Sequence, residues 1–327
     1  MGEKKLSAVS YAKAFAIILV ILGHSLSQYQ RLGGVFSAVT ATLFRFIYAV
    51  HVPLFFAVAG FLCHSQHIGH YYWKKVCRLL VPFVTFSLLK IFYSNVISSD
   101  FAHGDSLASQ LADAFLYGRL YWFIYCMFVV YLISPVLWIH KSVAWILIPI
   151  LIVVNALNER YHFWRNDDFT PFQIGRVSMY LVYFASGYAV RNFIKDFPSV
   201  KKLRPVIFAS VGFVLGAVFF ALALLGKFPQ DYLCGLVLTY TLMLFLTGIA
   251  LLTSQGNAVL EKFATYSLQC MFLDSFYKAI LFALATHFFR INMPMVFLLA
   301  APDCVLSLAT SILLDKLPKP VKFAVGL

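Results

Sequence analysis

Residues 10–25 read SYAKAFAIILVILGHS, an apolar run that holds one lysine, Lys13, and one histidine, His24. Crossing a lipid bilayer takes about 20 mostly apolar residues, so the run and its neighbours are long enough to span. We interpret it as a membrane helix and not as a cleaved signal peptide, because it has no small-residue cleavage pattern and carries two ionisable groups.

The whole chain has the composition of a membrane protein. Of its 327 residues, 61% are hydrophobic and only 12% are charged, and the mean hydropathy is +0.83. A soluble domain carries about 25% charged residues, so a soluble globular protein is excluded, as are a disordered chain and a disulfide scaffold. Apolar segments are predicted at 10–27, 41–63, 79–99, 120–138, 143–158, 173–190, 206–225, 233–253, 263–285 and 293–315.

These segments predict an all-α, polytopic membrane helix bundle of about ten transmembrane helices, forming a single domain over residues 1–327. The outer stretch 100–119 has helical periodicity and predicts a short surface helix. The six cysteines are scattered, with no CxxC motif and no Cys/His cluster, so neither a zinc site nor a disulfide framework is supported.

The net charge is +13, from 26 Lys and Arg against 13 Asp and Glu. Its meaning depends on which side of the membrane the charged residues lie. If the N-terminus is inside, most basic residues fall in cytoplasmic segments, whereas acids and bases balance in the outer loops. Positive charge holds loops in the cytoplasm, so both termini are predicted there and nucleic acid is not an expected partner. The basic excess either sets orientation alone or binds an anionic cytoplasmic ligand.

Ionisable groups inside a bilayer are costly and are candidates for function. Lys13 and His24 are eleven residues apart, about three helical turns, so both lie on one helix face about 16 Å apart along the axis. The plain alternatives are that Lys13 extends to the interface and that His24 makes an interhelical hydrogen bond.

The second segment contains HVPLFFAVAGF at residues 51–61. On an antiparallel neighbouring helix, His51 lies at nearly the same depth as His24, and two histidines at one depth can form a proton-transfer site. His51 can instead only hold His24 or a backbone group in place. Pro53 frees a backbone carbonyl, which is tolerated where a neighbour satisfies it.

A basic cluster precedes the third segment. Lys74, Lys75 and Arg78 have helical i,i+3 and i,i+4 spacing, so pairs of them can face one ligand, and phosphates suit them. The alternative is anchoring of a cytoplasmic loop.

These motifs, in this order, resemble the integral-membrane acyltransferase family 3, and most closely its fucose 4-O-acetylase-like branch. The resemblance is strongest in residues 10–90. It rests on Lys13 with ten residues before His24, on His51 to Phe61, on Lys75 to Arg78 followed by Leu79 to Pro82, on Tyr121-Trp122-Phe123, and on Arg176 followed by residues 183–188.

The resemblance implies transfer of an acyl group, usually acetyl, from cytoplasmic acyl-CoA to a hydroxyl of a glycan or lipid-linked saccharide, in the plasma membrane of a bacterium and without a metal. It implies that His24 is the catalytic base and that His51 or Arg176 helps to position or stabilise it. Trp122 can pack a sugar ring of the acceptor, although an interfacial aromatic anchor is the alternative.

For the donor, the resemblance implies that Lys75 and Arg78 hold the CoA phosphates and that Lys13 lines the donor's route. Lys13 and Lys75 stand where the family usually has Arg, which keeps the charge but loses the bidentate fork. Asp274, placed with the acceptor-binding residues, stands where the family commonly has His. It lies four residues before Lys278, so it can form an ion pair there or can orient His24.

Two other classes of function stay open at this point. A transporter of a polar or lipid-linked substrate also needs buried charges, such as Asp274, Lys278, Asp303 and Arg176, but predicts inverted repeats and paired broken helices, and we find neither in the sequence. A catalytically inactive membrane scaffold or sensor is suggested only by the departures from the family pattern.

Overall fold

The computed structural model describes residues 3–96, 106–164, 170–196, 205–229, 231–253 and 257–327, and within those ranges it is helical with no strand. The helices are α1 (Glu3–Arg31), α2 (Ala38–Leu62), α3 (Ile68–Lys75), α4 (Val81–Val96), α5 (Leu107–Phe115), α6 (Trp122–Ile133), α7 (Ser142–Tyr161), α8 (Ile174–Asp196), α9 (Pro205–Leu224), α10 (Tyr232–Thr253), α11 (Ala258–Thr265), α12 (Ser267–Phe288), α13 (Met293–Leu314) and α14 (Lys319–Ala324).

Eight spans in the described ranges are long and apolar enough to cross a membrane. They are Ala8–Arg31, Ala38–Leu62, Ile68–Val96, Ser142–Tyr161, Pro205–Leu224, Tyr232–Thr253, Ser267–Phe288 and Met293–Leu314. The prediction of a polytopic helical membrane protein is therefore confirmed.

The predicted count of ten spans is not matched. The segment predicted at 120–138 is a helix of twelve residues followed by a short 3-10 stretch to Trp138, so it falls short of a full span. The segment predicted at 173–190 forms α8, which is long enough, but its Arg, Tyr, Ser and Gly residues make it less apolar than the others.

The third span begins earlier than predicted. It runs from Ile68 through α3, a π-helical turn at Val76–Leu80 and α4. Pro82 lacks a backbone N–H, so it cannot donate a hydrogen bond to the carbonyl of Arg78. The π-helical turn, which is wider than an α-helical turn, lies at this missing hydrogen bond. The expected surface helix is α5, where the Ser106 hydroxyl caps the N–H of Ser109. Residues 97–105 lie outside the described residues.

The helices fall into two compact units. The first comprises Met1–Val58 and Phe193–Leu313, and in it α1 packs against α10, α11 and α12, while α9 pairs with α10. The second comprises Ala59–Asn192 and Leu314–Leu327, and in it α3, α6 and the π-helical turn pack together while α14 packs on α4. A single domain over residues 1–327 stays a prediction.

Glycines set the closest helix contacts inside each unit. In the first unit, a Cβ on Gly212 would lie 2.5 Å from the backbone nitrogen of Phe245, so α9 and α10 meet backbone to backbone. In the second unit, Gly60 of α2 faces the backbone carbonyl of Phe184 in α8 with no space for a Cβ. Small residues allow such approaches, which is how membrane helices pack tightly in lipid.

We expect the substitution Gly60→Ala to destabilise the protein, because the added methyl meets backbone atoms that cannot move aside as a flexible side chain can. Overpacking of this kind costs about 1–3 kcal/mol, so the melting temperature of the detergent-solubilised protein should fall by several degrees. The matched control is Gly235→Ala in α10, where a Cβ meets nothing within 4 Å. Equal melting temperatures for the two variants would contradict the contact.

Candidate active site

The first unit contains a partly buried histidine–aspartate pair between α1 and α12. The Nδ1 atom of His24 lies 2.5 Å from Oδ2 of Asp274. The Asp274 side chain has no exposed surface, whereas that of His24 is 34% exposed. A carboxylate that accepts the Nδ1 proton fixes the imidazole tautomer and leaves the lone pair on Nε2. The pair can therefore accept a proton from a group that reaches His24.

Lys278 forms a second contact with the same carboxylate oxygen. Its Nζ lies 3.9 Å from Oδ2 of Asp274, which confirms the ion pair predicted from the i,i+4 spacing. A buried carboxylate is costly unless it is paired and hydrogen-bonded. The alternative interpretation of Asp274, orientation of His24, is the one that its contacts support, since the carboxyl group is bonded inward and is closed to solvent.

The long helix α1 carries both predicted residues of the first segment. It runs unbroken from Glu3 to Arg31, so Lys13 and His24 lie on one face as expected from their spacing. Lys13 is half-buried. At His24 the adjacent Gly23 admits α2 closely, because a Cβ there would be 3.1 Å from the side chains of Ile47 and Tyr48.

His51 is buried at 3% exposure, and it interacts electrostatically with His24. Its Nδ1 donates to the carbonyl of Ile47 at 2.6 Å, and its ring meets that of Tyr48 edge-on at 4.9 Å between centroids. Because Nδ1 holds the proton, Nε2 is the acceptor nitrogen of the neutral ring. The bond to the Ile47 carbonyl fixes the orientation of the His51 ring.

Pro53 frees the carbonyl of Ala49, and a neighbouring helix supplies the missing donor. The hydroxyl of Thr239 in α10 lies 2.9 Å from this carbonyl and 2.9 Å from that of Gly235. The expectation that a neighbour satisfies the freed group is confirmed.

In the second unit, the predicted donor-binding residues differ in environment. The Lys75 ammonium lies 3.5 Å from the ring centre of Tyr131 and 5.3 Å from that of Tyr71, a cation–π arrangement. The Tyr71 hydroxyl is hydrogen-bonded to Ser134 at 2.6 Å, which fixes the Tyr71 ring. Arg78 lies in the π-helical turn and is exposed. The Arg78 side chain is therefore open to a ligand, whereas the Lys75 ammonium is held over the rings of Tyr131 and Tyr71.

The second unit also brings Arg176 and Trp122 together. The guanidinium carbon of Arg176 lies 4.7 Å from the indole ring centre, and its Nη1 donates to Gln173 Oε1 at 2.8 Å. The Trp122 ring lies 5.5 Å from that of Tyr180. Gln173, with φ of 53°, is in a left-handed conformation that non-glycine residues adopt at some energetic cost. Such strain clusters at functional sites.

Two further residues lie at this site that the sequence does not predict there. Asp303, expected only as a buried charge of a transporter, interacts with Asp274, and the Tyr48 hydroxyl donates to the carbonyl of Gly23 at 3.4 Å. Their spacing gives no signal, because contacts between helices far apart in sequence bring them in. Within the described ranges, no group of three or more His, Cys, Asp or Glu could hold a metal ion.

A family model described as an acyltransferase domain matches residues 6–315 of the chain. No similar protein was found among the curated proteins, and none among the solved structures.

We expect Thr239→Val to destabilise the protein, because it leaves the part-buried Ala49 carbonyl near Pro53 without its donor. The cost of such an unsatisfied group is about 1–3 kcal/mol. Thr239→Ser keeps the hydroxyl and is the matched control. Unfolding curves of the solubilised variants measure the difference, and a valine variant as stable as the serine variant would refute the assigned role of the hydroxyl.

Proposed function

The chain belongs to the acyltransferase 3 family, and we propose that it is an O-acyltransferase of the fucose 4-O-acetylase-like branch, in the class that transfers groups other than amino-acyl groups. The proposed reaction moves acetyl from cytoplasmic acetyl-CoA to a hydroxyl of a glycan or lipid-linked saccharide of the cell envelope. The observation that carries the proposal is the partly exposed His24 bonded to the buried Asp274.

In the proposed mechanism, Nε2 of His24 takes the proton of the acceptor hydroxyl as its oxygen attacks the thioester carbonyl. Asp274 stabilises the imidazolium that forms, as the carboxylate does in other base–carboxylate pairs. When the tetrahedral intermediate collapses, the carbon–sulfur bond breaks and the CoA thiolate leaves. The imidazolium returns its proton to that sulfur, so His24 ends the cycle neutral.

His51 and Arg176 have supporting roles in the proposal. The Nδ1 bond of His51 to the Ile47 carbonyl fixes its ring near His24, and in the proposal His51 helps to position the base. Arg176 and Trp122 offer a cation and an aromatic face side by side, which suits the hydroxyls and the apolar face of a sugar ring. We therefore place acceptor binding at Trp122 and take Asp274 as the residue that orients His24.

On the donor side, Arg78 binds CoA phosphates in our proposal, with Lys75 beside it and Lys13 along the donor's route. The support is that Arg78 is exposed in a widened turn at the start of α4. Both termini lie in the cytoplasm in this arrangement, because the basic stretches near residues 74–78 and 316–322 are then inside. α6 and α8 complete the ten crossings, in the plasma membrane of a bacterium.

Acyl transfer is tested by reconstituting the purified protein with labelled acetyl-CoA and a total glycan or glycolipid extract. We expect His24→Ala to abolish label transfer and Asp274→Asn to slow it about 10²–10⁴-fold, because the amide no longer fixes the correct tautomer. The matched control is His287→Ala, an exposed histidine at the end of α12. Equal transfer by wild type and His24→Ala would overturn the assignment of the base.

The same vesicles separate the enzyme from a transporter, which the buried charges of Asp274 and Lys278 would also suit. If the acceptor crosses the vesicle membrane and carries no labelled acetyl group, the protein is a transporter and the proposed activity is refuted.

For the donor site, we expect Arg78→Ala to raise the KM for acetyl-CoA about tenfold or more with a smaller change in kcat. A hydrogen bond to a charged group contributes about 1.5–3 kcal/mol. Because Arg78 would bind the CoA phosphates both before and during the chemical step, its loss weakens binding of acetyl-CoA and changes kcat little. Lys141→Ala, which removes another exposed positive charge of the same unit, is the control. A kcat effect without a KM effect would place Arg78 elsewhere than at the donor.

A further inference from the structure

Asp303 is a second buried carboxyl group within the first unit. It lies on α13, its side chain is 1% exposed, and its Oδ1 accepts a hydrogen bond from the Ser307 hydroxyl at 3.0 Å. The Ser311 hydroxyl, one turn further along, donates to the backbone carbonyl of Ser307 at 2.7 Å, so this face of α13 is polar in an apolar helix. The mechanism proposed above does not use Asp303.

The carboxyl groups of Asp274 and Asp303 interact directly with each other. His24 and Lys278 both contact Oδ2 of Asp274, while Oδ1 of Asp274 and Oδ2 of Asp303 are buried and have no donor among the described residues. A buried oxygen without a donor is costly, and two adjacent ionised carboxylates repel each other. A single proton held between the two groups removes both penalties.

We propose that Asp303 is a protonated positioning residue, whose carboxylic acid donates a hydrogen bond to Oδ1 of Asp274 while Oδ2 of Asp274 binds His24. This inference rests on the proposed role of His24 as the base. Asp274 is then held from both sides, by His24 of α1 and by Asp303 of α13. Its carboxylate plane, and with it the direction of Nε2 of His24, is fixed before the acceptor arrives.

The charges around the pair agree with this assignment. Lys278 on α12 and the carboxylate of Asp274 cancel, so the resting site is neutral when Asp303 carries a proton. An ionised Asp303 would give two buried negative charges for the single ammonium of Lys278, because the other groups that interact with Asp303 include the thiols Cys270 and Cys304 and no second cation on α12 or α13.

The inference is tested by two substitutions that separate a neutral donor from a carboxylate. Asp303→Asn cannot ionise but keeps the shape and an N–H donor, so we expect transfer within about threefold of wild type. Asp303→Leu removes the donor, and we expect a loss of about ten- to hundredfold in kcat. If Asp303→Asn slows acyl transfer as much as Asp274→Asn does, the proposal is overturned, because Asp303 would then have to act as a carboxylate.

A spectroscopic measurement tests the proton without relying on acyl transfer. In infrared difference spectra, wild type minus Asp303→Asn should show the carbonyl stretch of a protonated carboxyl group, shifted in heavy water. The band should persist in His24→Ala, which loses transfer in the proposed function. Absence of the band from the difference spectrum, in variants that keep the wild-type melting temperature, would overturn the proposal whether or not the protein transfers acyl groups.

Discussion

Asp274 is a carboxyl group with no exposed surface in an apolar helix, and the arrangement of the first unit follows from the need to satisfy it. Lipid offers no water to solvate the charge, so every partner must come from the protein. Its own helix supplies Lys278 one turn away, and α1 supplies His24. The contact with His24 restricts how α1 can be placed, because a small rotation of that helix would carry the imidazole away from the carboxylate.

Much of this region could be predicted from the sequence, because its signals are local. The apolar run of α1, the shared face of Lys13 and His24, and the i,i+4 pair at Asp274 and Lys278 all follow from helical geometry. Pro53 predicted a freed carbonyl from its missing N–H. The identity of its partner, Thr239, could not be predicted, since it comes from a helix nearly two hundred residues further along.

The second unit shows where local periodicity stops being informative. The spacing of Lys75 and Arg78 predicts one shared helix face, but the π-helical turn at Val76–Leu80 changes the residue count per turn between them. One cation consequently lies over Tyr131 and the other is exposed. In the same way, α6 and α8 are not among the eight long apolar spans, because apolar composition alone does not fix where a helix ends or how much of it is polar.

The Thr239 hydroxyl shares its one proton between two carbonyls, those of Ala49 and Gly235, and this bears on where water can bind inside the bilayer. A proline inside a helix leaves a backbone carbonyl oxygen without its N–H donor, and water can donate a hydrogen bond to that oxygen. At Ala49 that oxygen is already occupied by a side chain of the protein. At Pro53, beside His51, the protein itself therefore supplies the donor that water would otherwise supply.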